Sequence, residues 1–187
     1  MCLFLRINLY LCTFDYLTCI MNFPSGSIEF LTVAVEYCRF VESAEDFDDA
    51  DFRSKMCKLL PLLYLKAFMV ELPQHEDESD DEPERFIDEL SYNSIRRAVQ
   101  DLMGGRDQYL TASHPDINLS DTVVAASVSE DIADIYQSVG DFAYAAKQGD
   151  ELIMVRALKV CINDFKAYWG ARLLSTLCAL HSIYASE

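Results

Sequence analysis

Glu130, Asp131, Asp134 and Asp141 fall within the run SVSEDIADIYQSVGDFAYAAKQGDE, Ser127 to Glu151, beside an apolar ladder of Ile132, Ile135, Val139 and Phe142. Residues three or four apart share a helix face, so Glu130 and Asp131 both neighbour Asp134, and Asp134, Gln137 and Asp141 extend one stripe. Carboxylates at this spacing can hold a hard divalent cation, work as an acid and base pair, or pair with Arg and Lys of an adjacent helix. Bundles that bind metal converge ligands from several helices, often with a Glu-x-x-His step. Neither that step nor His-Glu-x-x-His occurs in the sequence, and His75, His114 and His181 lie in three separate segments. His181 sits at the edge of an apolar face and reads as a partly buried, hydrogen-bonded side chain.

The stripe therefore reads first as a polar face, either solvated or paired between helices, with Arg156, Lys159 and Lys166 of the next helix as its partners. Its second reading is an interaction face of Glu130, Asp134, Gln137, Asp141 and Trp169. Its third is a metal or catalytic centre in which Asp131, Asp134 and Asp141 supply ligands, with His181 or Asp164 converging from other helices. Other reaction chemistry lacks its motifs: no Walker A loop, Gly-x-Ser-x-Gly elbow or dinucleotide fingerprint is present. The aromatic pair in YWGARLL, Tyr168 to Leu174, reads as core packing before pocket lining. A non-enzyme is favoured, no cofactor is predicted, and a divalent cation is the one ligand the carboxylates suggest.

The elements that must position these residues are helical. A chain of 187 residues fits one domain and needs no disulfide staples. Its net charge of −16 repels phosphates and anionic lipid, so neither nucleic acid nor a membrane is an expected partner. The seven cysteines show no C-x-x-C spacing. Cys38, Cys57, Cys161 and Cys178 read as small buried residues of a reduced, cytoplasmic compartment.

The first twenty residues are apolar but interrupted by Arg6, Asn8 and Asp15. They suit neither a transmembrane helix nor a signal peptide, and read as a mis-called start or an extension outside the domain, which then opens at Met21. A single helical domain over 21–187 follows. Ile28, Leu31, Val35, Cys38 and Val41 predict a helix over Ser27 to Ser43. A second segment, Asp51 to Leu72, contains Pro61, which predicts a kink or a split, and its apolar halves suggest the centre of a bundle. Glu71 to Glu89 holds ten acidic residues against Arg85 alone, and reads as a mobile acidic loop near 73–83. Glu84 to Leu90 suits a helix start, Ser91 a cap for the next helix, and Gly104-Gly105 its stop. Arg106 to Asp121 reads as a connector. Ser127 with Glu130 forms a candidate capping box, and Gly149 suits the end of that helix. Gly140 inside it marks a close crossing or a break. A further helix begins near Asp150, Gly170 punctuates it, and Leu173, Leu177, Leu180 and Tyr184 line the last. These elements predict an all-α, single-domain bundle of six to eight helices.

At SEDIADIYQSVGDF and FKAYWGARLLSTLCALH the chain resembles an all-helical bacterial family, a domain of unknown function found notably in Bacteroides-like bacteria. The resemblance covers Ser27 to about Tyr184 and implies an all-helical fold without assigning an activity or a residue role.

The function expected is thus a helical protein-interaction or regulatory module with an unidentified protein partner, basic or cationic in character, and a two-fold homodimer is compatible with it. The alternative is an enzyme or metal-binding bundle built on the carboxylate stripe. An acidic mimic of nucleic acid would need its charge on a rigid ridge, whereas much of the charge lies in the 71–89 segment.

Overall fold

The computed structural model describes residues 25–72, 84–111 and 123–186. The expectations for residues 1–20, the 73–83 loop, His75 and His114 lie outside these. Six helices and one small sheet order the described chain: α1 (Ser25–Glu42), α2 (Asp49–Phe68), α3 (Glu89–Met103), β1 (Gln108–Thr111), β2 (Val124–Ser127), α4 (Val128–Gln148), α5 (Glu151–Asp164) and α6 (Gly170–Tyr184). α5 passes through a π turn at Phe165–Trp169 into α6, so the two form one helical run, and the fold has five such runs.

The fold is mostly helical rather than all-α. β1 and β2 pair antiparallel with Gln108 opposite Ser127 and Thr111 opposite Val124. The segment expected as a connector thus begins with a strand.

α4 is the central helix, packed by α1, α3, α5 and α6. Residues on every side of it are buried, including Ile132, Ile135, Val139 and Phe142 and also Asp131. Its ends follow local chemistry. Ser127 accepts the Glu130 N–H at 3.4 Å, and Gly149 closes the helix at φ 76°, where a side chain would be strained. Asp107 reinforces the start: its carboxylate accepts the Ser129 N–H at 2.8 Å and the Ser129 hydroxyl at 2.9 Å. Its own carbonyl accepts the Val128 N–H at 2.9 Å. The buried Asp107 thus locks the strand pair onto the helix N-terminus.

Gly140 does not break α4, and a Cβ there would lie 3.9 Å from Cys38 Sγ of α1, an ordinary contact. A Cβ there would lie 2.9 Å from Ile87, so the glycine admits the extended segment that precedes α3. That segment was expected to be helical. Instead Glu84 to Asp88 stays out of the helix, Asp88 is the cap of α3, and its carboxylate accepts the Ser91 N–H at 2.8 Å. Ser91 is therefore inside the helix. Asp141 explains the difference: one of its oxygens accepts the backbone N–H groups of Phe86 at 2.7 Å and Ile87 at 2.8 Å. These bonds satisfy the donors that a helix would otherwise use.

α2 is one helix through Pro61, not two. Pro61 is on the exposed side, so the carbonyl of Cys57 that it cannot serve lies on the outer face of the helix. Its inner face is core: Phe52, Met56, Leu60, Leu63 and Ala67 are buried. Its second half is not the centre of the bundle, because Leu62, Leu65, Phe68 and Met69 are exposed.

Candidate functional site

Asp131 and Asp134 lie one turn apart on α4, and the fold surrounds them with donors from four other elements. Arg172 and Thr176 come from α6, Tyr168 from the π turn, Tyr109 from β1 and Tyr92 from α3. Asp131 receives Arg172 Nη1 on Oδ1 at 3.0 Å and Thr176 Oγ1 on Oδ2 at 2.9 Å, together with the Tyr109 hydroxyl. Asp134 receives Tyr92 OH on Oδ1 and Tyr168 OH on Oδ2, both at 2.9 Å, and Arg172 Nη1 on Oδ2 at 3.0 Å. The Arg172 guanidinium also stacks 4.5 Å above the Tyr168 ring. All four carboxylate oxygens thus hold protein donors, and one cation bridges both acids.

Burial drives the chemistry here. The Asp131 side chain is 1% exposed, and burial pushes its carboxyl above the ordinary carboxylate range, against the hydrogen bonds of Tyr109 and Thr176 and the charge of Arg172. Burial, with the Asp134 charge, pushes the Tyr168 phenol up to about 12 and raises Tyr92 further. These phenols stay protonated and donate. The arrangement is suited to holding elements in register, since a desolvated acid is tolerated only where donors replace water.

The sequence-predicted residues separate into distinct places. Asp141 lies beyond this network, on the backbone of Phe86 and Ile87, and burial raises its carboxyl too. With Gln137, Ser138 and Asp164 it lines a different cleft of about 170 Å³. Asp164 meets Ser138 there at 3.4 Å. Glu130 is exposed. Trp169, expected on an interaction face, is instead fully buried and donates its indole N–H to the Cys161 carbonyl at 3.0 Å. His181, expected to be partly buried, is exposed beside Tyr184, with ring centres 6.5 Å apart. Cys178, expected to be buried, is exposed, Cys57 is half-buried, and Cys38 and Cys161 are buried. Among the described residues no group of three or more His, Cys, Asp and Glu is placed to hold a metal ion.

The partner of Asp131 and Asp134 is Arg172, which the sequence reading missed in favour of Arg156, Lys159 and Lys166. A signal existed: Tyr168, Arg172 and Thr176 recur at four-residue steps and so share one face.

The second surface feature is apolar. Pro61, Leu62, Leu65, Phe68 and Met69 occupy one side of the second half of α2, with Leu62 at 42%, Leu65 at 51%, Phe68 at 70% and Met69 at 54% exposure. Phe68 stacks on Tyr64 at 6.3 Å, and Tyr64 abuts Phe165 edge-on at 5.1 Å, so the most exposed ring is backed by core. No helix among the described residues is long and apolar enough to cross a membrane.

The family model for a domain of unknown function, DUF5063, matches residues 22–186. The chain belongs to the DUF5063 family. A crystal structure of protein BF1032 from Bacteroides fragilis is similar to this DUF5063 chain at 34% identity and a TM-score of 0.74, over 88% of this chain and 94% of that one. No curated protein matches. The resemblance at Ser129–Phe142 and Phe165–His181 was thus to this family. DUF5063 membership brings the helical fold and assigns no role to the carboxylates.

Proposed function

We propose that this DUF5063 chain is a protein-interaction module whose working surface is the apolar stripe of α2. The observation that carries the reading is the exposure of Leu62, Leu65, Phe68 and Met69 as one face. Scattered exposed apolar residues are ordinary, but a contiguous run on one helix is the form of a docking surface. Its anchor is held in place, because Phe68 leans on Tyr64, and ordering it on binding costs little. Between Arg53 and Val70 the sequence carries Arg53, Lys55, Lys58 and Lys66 and no acid, within a chain of net charge −16. Arg53 is buried against Asp49 and Lys66 is paired with Glu29, so the face is apolar with Lys55 and Lys58 as its exposed cations, and it suits a partner with acidic flanks rather than the basic partner the overall charge suggests. Free thiols at Cys38 and Cys161 support a reducing, cytoplasmic setting.

The alternative, an enzyme or metal-binding bundle on the carboxylate stripe, has less support. The oxygens of Asp131 and Asp134 already serve Arg172, Thr176 and three tyrosines.

Site-directed photo-cross-linking tests the reading. A photoreactive side chain at Leu65 is expected to give covalent adducts in the producing cell, and one at the exposed Glu130 is not. Adducts at Glu130 alone, or at neither position, would overturn it.

A further inference from the structure

Resting on that reading, we infer that the α2 stripe has an occupant within the same chain: residues 1–24 dock on it reversibly and are displaced when a partner binds. The first observation is that α2 is apolar on two opposite sides. Met56, Leu60, Leu63 and Ala67 face the core, where α1 and α6 pack on the helix. Leu62, Leu65, Phe68 and Met69 face outward, and no element among the described residues covers them. A helix that is apolar all round is normally covered all round.

The second observation is where the described chain begins. α1 starts at Ser25 against the end of the stripe: a Cβ on Gly26 would lie 3.0 Å from the Met69 carbonyl oxygen and 3.8 Å from the Cα of Val70. Glu29, further along α1, pairs with Lys66 of α2. Residues 1–24 therefore join the fold beside Met69, the last residue of the stripe. From Met69 back to Pro61 the stripe is about 12 Å long, and 24 residues span about 36 Å even at the short rise of a helix, so all of it is within reach.

The third observation is composition. Residues 1–24 carry Leu3, Phe4, Leu9, Phe14, Leu17 and Ile20 among other apolar side chains, and their side-chain charges, Arg6 and Asp15, cancel. They bring apolar surface without adding to the repulsion within a chain of net charge −16. A partner must bring such a surface from solution, whereas this one is tethered beside its site. It is a cover and not part of the core: the family model begins at residue 22, so the domain fold is defined without residues 1–21. A partner then binds the released form, and its apparent affinity is reduced by the docked fraction.

Photo-cross-linking in the full chain tests the inference. A photoreactive side chain at Leu65 is activated in an equal mixture of isotope-labelled and unlabelled purified protein. It is expected to give an intramolecular product, carrying one isotope only, whose second site maps by mass spectrometry within residues 1–24. The same side chain at Glu130 is not expected to reach them. Phe68→Asp is expected to reduce the Leu65 product several-fold, as for loss of an apolar anchor, with an unchanged circular dichroism spectrum.

Absence of the intramolecular product at Leu65 overturns the inference. So does an equal yield from Glu130, or a yield that Phe68→Asp leaves unchanged. An intact mass showing that the producing cell makes the chain without residues 1–20 overturns it as well. If Leu65 instead cross-links only to a different protein in the cell, or to a second copy in the isotope mixture, the cover fails while the docking surface stands. If no adduct forms at Leu65 in either setting, both fail.

Discussion

Asp131 has lost nearly all contact with water, and each of its oxygens is occupied by a donor from β1 or α6. Arg172 supplies the compensating charge to both Asp131 and Asp134, so removing it strands two carboxylates. Arg172→Gln is expected to cost about 3–5 kcal/mol, the scale for breaking a buried pair from one side, read by urea unfolding. Tyr109→Phe removes one donor and should cost about 1–3 kcal/mol. The pH dependence follows from burial. The carboxyls of Asp131 and Asp141 are raised in the folded chain, so the folded state binds protons more tightly than the unfolded one. Stability then falls as pH rises from the unfolded carboxylate value of about 4 through the raised folded values. Acidifying from neutral to mildly acidic pH should therefore raise the urea midpoint. The slope should shrink in Asp131→Asn and persist in Glu130→Gln, and an equal slope in both would contradict this account. At this scale the sequence showed the acids and their spacing. It did not show which would be buried, because Asp131 and Glu130 are neighbours of the same chemistry and only the packing of α6 and β1 separates them.

The π turn between α5 and α6 carries the sharpest steric constraint. A Cβ on Gly170 would lie 2.5 Å from the Phe165 carbonyl oxygen and 2.9 Å from its ring. Gly170→Ala is expected to destabilise by about 1–3 kcal/mol, the cost of overpacking. Trp169 is the single tryptophan and is fully buried, so its emission should shift to longer wavelength in that variant as the turn rearranges. An unshifted spectrum with unchanged stability would show that the turn accommodates the methyl group. Helix ends were largely legible, because Ser127 and Asp150 cap N–H groups two or three residues on with their own side chains, and Gly149 and Gly104 take positive φ. The strand pair was not. Each strand has four residues, too few for an alternating pattern to stand out, and its partner is remote in sequence. The segment before α3 has a helical composition locally, and the carboxylate of Asp141 overrides it from across the fold. Gly170 was read as punctuation; the π turn it serves has no separate sequence signature.

At the scale of the molecule, the chain separates its acidity from its apolar surface. Asp131, Asp134 and Asp141 of α4 are absorbed into the fold, whereas the outer face of the second half of α2 is left apolar. The run KLLPLLYLKAFMVEL suggested a buried helix, because periodicity reports which residues are apolar and not which side a neighbour covers. Of the two candidate surfaces, one is accounted for by the fold and the other is surplus to it. Urea unfolding of Asp134→Asn and Leu65→Gln tests that division most directly. Asp134→Asn is expected to lose about 1–3 kcal/mol, as a member of an interhelix network. Leu65→Gln is expected to stay within about 0.5 kcal/mol of the parent, because the fold does not use that side chain. A silent Asp134→Asn, or a Leu65→Gln loss as large as that of Asp134→Asn, would contradict the account.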